Sequence, residues 1–304
     1  MRSIIGQRDL LGYGKNPPDA NWPGGARVAV SLVLNVEEGS ERRISSGDDV
    51  NENVYDMIDD IIDVPNLTME SHFGYGTRVG YWRIMRVFDK YGVSCTANCC
   101  AEALAISPWL SQDLLARGHE ISCHGLRWTN HLNMTEEQER SSILQAIETI
   151  ETTCGQRPVG WHTRCPHSEN TRRLLIEEGG FLYDSDAYDD DLPYLVDAGE
   201  KQHVVLPYSL DTNDMRDQRP EAGFVRAKDF ADYIIDAFDW LWEEGKTSPK
   251  MMTVGLHLRI IGRPGRISGL EQILKHMTQK GSTWFAQRHE IARHWLREHG
   301  HQIA

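Results

Sequence analysis

Residues 27–35 read RVAVSLVLN, short, rich in β-branched residues and apolar almost throughout, with no polar alternation. A strand buried on both faces has this composition, and such strands belong to parallel sheets covered by helices on either side. The chain continues in the same manner. Val93–Cys99, His119–Cys123, Pro158–Thr163, Phe181–Asp186, Val204–Tyr208, Met251–His257 and Thr283–Phe285 are further short strand candidates. Helical patterns separate them, at Arg78–Tyr91, where Val79, Trp82, Met85, Val87 and Phe88 supply an apolar face, and at Ala101–Arg117. Others lie near 170–178, 228–244, 269–280 and 287–298. Thr135-Glu136-Glu137-Gln138 has the spacing of a capping box and opens a helix to about Thr153. Strands alternating with helices predict a parallel sheet with helices outside it. Seven or eight strands in about 280 residues favour closure into a distorted single-domain (β/α) barrel over an open sheet. One domain then spans 1–304, with a Gly- and Pro-rich N-terminal arm at 1–26 and an insertion around 41–75, acidic from Glu41 to Asp63.

Composition narrows the function. The 304 residues carry a formal charge of −13, which argues against nucleic acid or an anionic membrane as partner, because polyanions are bound by basic surfaces. No apolar run in residues 1–30 suits a signal peptide and no segment approaches a membrane span, so a cytoplasmic setting is expected. The six cysteines (Cys95, Cys99, Cys100, Cys123, Cys154, Cys165) include an adjacent pair and no Cys-x-x-Cys, which fits free thiols and excludes a zinc knuckle.

Polar residues fall just past the strand ends: Glu37, His124, His162, Arg164, Asp211, Asn213 and His257. In a parallel barrel those ends share one rim, and active sites form there. Cys123 and Cys165 also lie near it, but neither has a base at fixed spacing, so a thiolate nucleophile is not expected. Asp189-Asp190-Asp191 reads as a solvated loop.

Six phrases, RDLLGYGKNPP (8–18), LNVEEG (34–39), GHEISCHGLRW (118–128), GFLYDSDAYDDDLPY (180–194), PYSLDTNDM (207–215) and GLHLRIIGRPGR (255–266), resemble the polysaccharide deacetylase (NodB-homology) superfamily. They are most similar to its intracellular allantoinase-like and cyclic-imide-hydrolase-like branch. The resemblance implies a distorted β/α barrel that hydrolyses amide C–N bonds, most often N-acetyl groups on sugars, and a homo-oligomer. Metal-using relatives end the first strand in an acidic pair, one acid a general base and the other a ligand. Here that strand ends in Asn35-Val36-Glu37-Glu38, so either both acids are Glu, or Asn35 stands at the base position with Glu37 as ligand. Their second motif has two histidines four residues apart. This chain has His124 at the first position and Trp128 at the second, whose indole has no lone pair to coordinate with. Arg164-x-Pro166 resembles the third motif of sugar deacetylases, where allantoinase-like sequences tend to carry a Gly-containing turn. Gly255-Leu256-His257 resembles the Leu-x-His motif, which makes His257 the acid that protonates the departing nitrogen.

These residues imply hydrolysis of a small cyclic amide, a hydantoin or cyclic imide, with Glu37, His124 and His257 catalytic. Trp128, Arg164, Asn213, Arg78 and Glu70 are the expected substrate contacts, with the Trp128 indole N–H and the Arg164 guanidinium as oxyanion donors. No cofactor is expected. Should zinc or another divalent metal be used, Glu37 and His124 would hold it with His131 or His162. The alternatives are a metal-dependent carbohydrate or peptidoglycan N-deacetylase and a non-catalytic small-ligand-binding barrel.

Overall fold

The computed structural model describes residues 9–53, 61, 63–198, 201–218 and 223–300. The remaining residues of the expected arm (1–8) and insertion (54–60 and 62) lie outside that set. Strand β1 (Val28–Val36) is buried along its whole length, as its continuous apolar run requires. Its register partners are β8 (Lys250–His257) on one side and, on the other, β9 (Thr283–Phe285) beside its first half and β2 (Thr96–Cys99) beside its second. From β2 the parallel order continues through β3 (Glu120–Cys123), β4 (Gly160–Trp161), β5 (Tyr183–Asp184) and β7 (Lys201–Val205). The outermost strand, β6 (Tyr194–Ala198), pairs antiparallel with β7 and is an element the sequence patterning leaves out. Beyond β7 the chain returns to β8 through a parallel bridge between Asn213 and Gly255, which brings the two ends of the sheet together. The result is a curled, mostly parallel sheet in the form of a distorted barrel.

Helices α1 (Leu67–Tyr75) and α2 (Tyr81–Tyr91) run together through a π-helical turn at Gly76–Gly80. Part of the stretch read as an insertion therefore belongs to the core, because Met69 and Phe73, four residues apart, are buried on one face of α1. The buried face of α2 is Tyr81, Ile84, Met85 and Phe88. Val79 and Trp82, expected in that face, are about a third exposed, and Trp82 stacks instead on Trp109 with centroids 5.2 Å apart. The single helix expected over 101–117 is two, α3 (Ala101–Ile106) and α4 (Pro108–Ala116), because Pro108 cannot donate to a preceding turn and holds Ser107 out of helical geometry. The capping box forms as predicted at the start of α5 (Glu136–Cys154): Thr135 N donates to Gln138 Oε1 at 2.9 Å and Gln138 N to Thr135 Oγ1 at 3.3 Å. Helices α6 (Thr171–Glu178), α7 (Ala227–Glu244), α8 (Ile267–Lys280) and α9 (Arg288–His299) complete the outer layer. Among the described residues no helix is long and apolar enough to cross a membrane, and all six cysteines are free.

Candidate active site

Register places the first site residues. Val36 pairs with Cys99, Cys99 with Cys123, and Cys123 with Trp161. The next residues, Glu37, Cys100, His124 and His162, therefore stand at one level on the C-terminal rim. Backbone donation continues past the strands, from His124 N to Cys99 O at 2.8 Å and from His162 N to Cys123 O at 2.9 Å.

Glu37 is the hub. Its Oε1 lies 3.4 Å from His124 Nε2 and 3.3 Å from His257 Nε2, and its Oε2 lies 2.7 Å from Arg259 Nη1. Glu37 thus meets both of the other expected catalytic residues, although 220 residues separate it from His257. Burial alone raises the Glu37 carboxyl, but Arg259 and His257 beside it hold it well below the usual carboxylate range. His257 responds in the opposite sense. Burial lowers it, yet Glu37 on one side and Asp214 on the other push it up to about 9, so the imidazole is charged at neutral pH. Asp214 Oδ1 is 2.6 Å from His257 Nδ1, and Asp214 Oδ2 accepts from the backbone N–H of His257 (2.8 Å) and of Ile261 (3.1 Å). One carboxylate therefore orients the imidazole and winds the turn that follows β8.

His124 and His162 are set by their second ring nitrogens. His124 Nδ1 lies 2.5 Å from His162 O, and a carbonyl only accepts, so Nδ1 carries a proton and Nε2 is the nitrogen that faces Glu37. His162 Nδ1 lies 3.1 Å from Asp186 Oδ1, and its ring stacks between His124 (5.3 Å) and Tyr208 (4.5 Å). Burial lowers His162, against the pull of Asp186. Asp186 also accepts from Thr163 N at 2.8 Å and from Thr163 Oγ1 at 2.7 Å.

The adjacent acidic residue behaves differently from Glu37. Glu38 turns toward the π-helical turn, where a Cβ at Gly76 would collide with its carboxylate. That close approach is what glycine permits there. Burial raises Glu38 to about 7 against the pull of Arg259, and neighbouring Glu37 adds to the rise. Asn35 points into the barrel, where Nδ2 donates to Leu256 O (3.2 Å) and Tyr208 Oη (3.3 Å). Glu37 is thus the residue of the Asn35–Glu38 run that faces His124.

Trp128 is buried against Phe73, edge to face at 5.8 Å, and two guanidinium groups lie over its ring, Arg164 at 3.9 Å and Arg259 at 5.0 Å. Arg164 is already engaged within the protein. It makes a two-pronged pair with buried Glu52 (2.8 and 3.0 Å) and donates to Trp128 O at 2.8 Å. The acidic stretch contributes further to this covering: Arg127 is bidentate to Asp48 at 2.6 Å, and Trp128 N donates to Ser40 O at 3.0 Å. Residues 40–53, read from sequence as a surface insertion, lie across the rim and hold the His124–Trp128 loop. Their partners are more than 70 residues away, which a local pattern does not register.

The remaining candidates divide. Asn213 donates Nδ2 to Tyr208 Oη at 3.2 Å and accepts from Met215 N at 2.8 Å, so its amide is engaged in holding Tyr208 and the following turn. Asp211, exposed, accepts from Tyr233 Oη at 3.0 Å. Glu70 is half-buried on α1 and its Oε1 has no hydrogen-bond partner among the described residues. Arg78 is exposed on the π-helical turn. His131 is turned to Glu139 at 2.9 Å. Cys123 is buried, which pushes its thiol up to about 12, and Cys165 meets Tyr188 Oη at 3.4 Å. Asp214, Arg259, Asp186 and Glu52 are site residues that the sequence reading does not identify. Asp214 stands beside Asn213 in LDTND, and only the tight turn Asp214–Gln218 decides which of these side chains faces inward.

These residues do not fit a divalent metal. Position 128 offers an indole, His131 is committed to Glu139, and Glu37 already meets a guanidinium. Among the described residues no three His, Cys, Asp or Glu side chains are arranged to hold an ion. A cleft of about 690 Å³ is lined by Asp189, Asp191, Asp211, Trp240 and Tyr208.

Residues 64–180 match the family model described as polysaccharide deacetylase. A Schizosaccharomyces pombe protein named as a polysaccharide deacetylase is 36% identical, over 96% of this chain and 98% of its own. Two crystal structures superpose over nearly the full length. One, a Pseudomonas aeruginosa PAO1 protein titled as a polysaccharide deacetylase, has a TM-score of 0.93 and 48% identity, covering 97% of this chain and 99% of its own. The other, PuuE allantoinase, has a TM-score of 0.93 and 44% identity, covering 98% and 100%.

Proposed function

Because the chain belongs to the polysaccharide deacetylase family, hydrolases of C–N bonds other than peptide bonds, we propose that it opens the ring of a small cyclic amide of the imide or hydantoin class. One observation carries the reading. A charged imidazole, His257, is clamped between Asp214 and the ionised Glu37 carboxylate, whose same oxygen also meets His124. A proton donor and a proton acceptor therefore share one space.

In this mechanism the oxygen of a water bonds to the ring carbonyl carbon and its proton passes to the Glu37 carboxylate. Arg259 and His257 keep Glu37 ionised, so it is able to accept. His124 positions the same carboxylate oxygen. The Trp128 Nε1–H is the assigned donor to the tetrahedral oxyanion, because Arg164 is held by Glu52. As the ring C–N bond breaks, His257 gives its Nε2 proton to the nitrogen. The product carries a carboxylic acid, which ionises in water, where the ring carbonyl was and an N–H where the bond was. Glu37 touches His257, so the proton it took from water returns to that imidazole.

An imide or hydantoin carbonyl is more electrophilic than an acetamide, and its nitrogen leaves more readily. A site whose activating groups are a carboxylate, an indole N–H and an imidazolium suits such a ring. The likeness to PuuE allantoinase over nearly the whole chain supports the same class. The second reading, removal of an acetyl group from an amino sugar, is favoured by the family description and by the name of the S. pombe relative. Assay of the purified protein against hydantoin, succinimide, dihydrouracil and allantoin, beside acetate release from chitooligosaccharides, separates them. Ring opening with no acetate release is expected. Acetate release with every ring intact overturns the proposal.

A further inference from the structure

We propose that Arg259 is the resident cation of this rim: seated against Trp128 and Phe73, its guanidinium supplies the positive charge beside Glu37 and closes the site to a divalent ion. The inference deepens the catalytic reading of the Glu37 cluster and rests on it.

Three features of the geometry point the same way. First, Arg259 is fully buried, and its closest polar contacts are two carboxylates, Glu37 Oε2 at 2.7 Å and Glu38 Oε1 at 3.6 Å. Second, its Nε and Nη2 have no hydrogen-bond partner among the described residues. Buried donors are ordinarily paired, so this side chain is placed for its charge and not for a bonding network. Third, rings hold it: the guanidinium lies 4.3 Å from the centre of Phe73 and 5.0 Å from that of Trp128. The turn that presents it is wound on Asp214 by the His257 and Ile261 amides.

Trp128 and Arg259 belong together. The indole at 128 removes a ligand and provides a face on which a guanidinium can sit. With that guanidinium beside Glu37, a dication approaching the same carboxylate meets a like charge a few ångströms away. Arg259 is a positioning residue. It keeps Glu37 ionised and fixed, and touches no reacting atom.

The test uses full-length protein stripped with chelator, then equilibrated with Zn²⁺ or Co²⁺, with bound metal measured per chain and the cobalt absorption spectrum recorded. The wild type, Trp128→His and Trp128→His/Arg259→Lys are expected to bind no stoichiometric metal. Trp128→His/Arg259→Met is expected to bind one ion per chain, on the order of 100-fold or more tighter than Trp128→His alone, since a like charge has gone. If the methionine variant fails to fold, Trp128→His/Arg259→Gln replaces it, its amide leaving Glu37 a partner. One tightly held ion in the wild type, equal binding by Trp128→His and the double variant, or no gain in a folded double variant overturns the proposal. No substrate enters the measurement. Protein that shows this metal pattern but opens no ring sinks the catalytic reading alone, while ring opening with the opposite pattern sinks only the role of Arg259.

Discussion

Two fully buried arginines, Arg259 at the rim and Arg288 inside the barrel, meet the same problem in opposite ways. Arg288, the first residue of α9, spends its donors on neutral oxygens: Nε on Ser185 Oγ at 2.9 Å, Nη1 on Thr253 Oγ1 at 2.9 Å, and Nη2 on the carbonyls of Leu206 and Pro207. Its backbone N–H goes to Thr96 Oγ1 at 2.8 Å. Burial lowers its pKa, and the more distant negative groups do not offset the loss of water. Burial also acts on Arg259, but Glu37 and Glu38 more than offset it and the net shift is upward. Dipoles that engage every guanidinium nitrogen make a cation part of the frame. Carboxylates that leave donors unused make it part of an electrostatic site.

If the rim is the working region, its acid should matter to rate far more than to stability. His257→Asn can still offer an N–H toward Asp214 but holds no transferable proton. We expect kcat/KM to fall by roughly 10²–10⁴. The sign of the pH dependence follows from the raised value. The wild-type rate should decline as pH rises through about 9, where His257 loses its proton. The stability His257 contributes is fully present below its ordinary value of 6.5 and is lost over the same rise. Both limbs should vanish in the variant. A wild-type profile flat to pH 10 contradicts the assignment.

The interior should show the converse. Arg288→Met leaves two hydroxyls and two carbonyls without their donor, and about 3–5 kcal/mol of stability should go with it. Urea unfolding at fixed pH measures this, and a loss within about 1 kcal/mol would place Arg288 outside the frame. Wherever the variant remains folded, the alkaline limb of the rate profile should stay where it was, because Arg288 touches no group of the Glu37 cluster.

What the sequence conveys about these regions follows the range of each interaction. Strand and helix order was legible because buried strands and helix faces are written in neighbouring residues. Glu37, His124 and His257 were legible as rim residues because each directly follows an apolar run. Arg259 was not, since its place two residues past a rim histidine gives no sign of the Phe73 and Trp128 rings beneath it. Glu52 was hidden for the same reason, lying in an acidic stretch whose cationic partner is 112 residues away. Arg288 opens a helix, the commonest place for a surface arginine. Val79 and Trp82 mislead in the other direction. They continue the apolar periodicity of α2, yet the π-helical turn before it shifts which positions face the core.

The comparison is sharpened most by a carboxylate that the rim holds at a cost. Glu38 ordinarily titrates near 4.5 but is raised to about 7 by burial and by Glu37, with Arg259 only partly compensating. A folded state that prefers the protonated acid loses stability as pH climbs from 4.5 through about 7. Glu38→Gln keeps the shape that fits against Gly76 and an oxygen for the Glu37 amide, and removes the titration. The variant should match the wild type at pH 4 and exceed it at pH 8 by on the order of 2–3 kcal/mol. Thermal melts across that range read the difference directly. A gain confined to high pH means that the second carboxylate is tolerated at the rim for charge balance around Arg259, whereas a loss at every pH means that it is held there by its hydrogen bond and not by its charge.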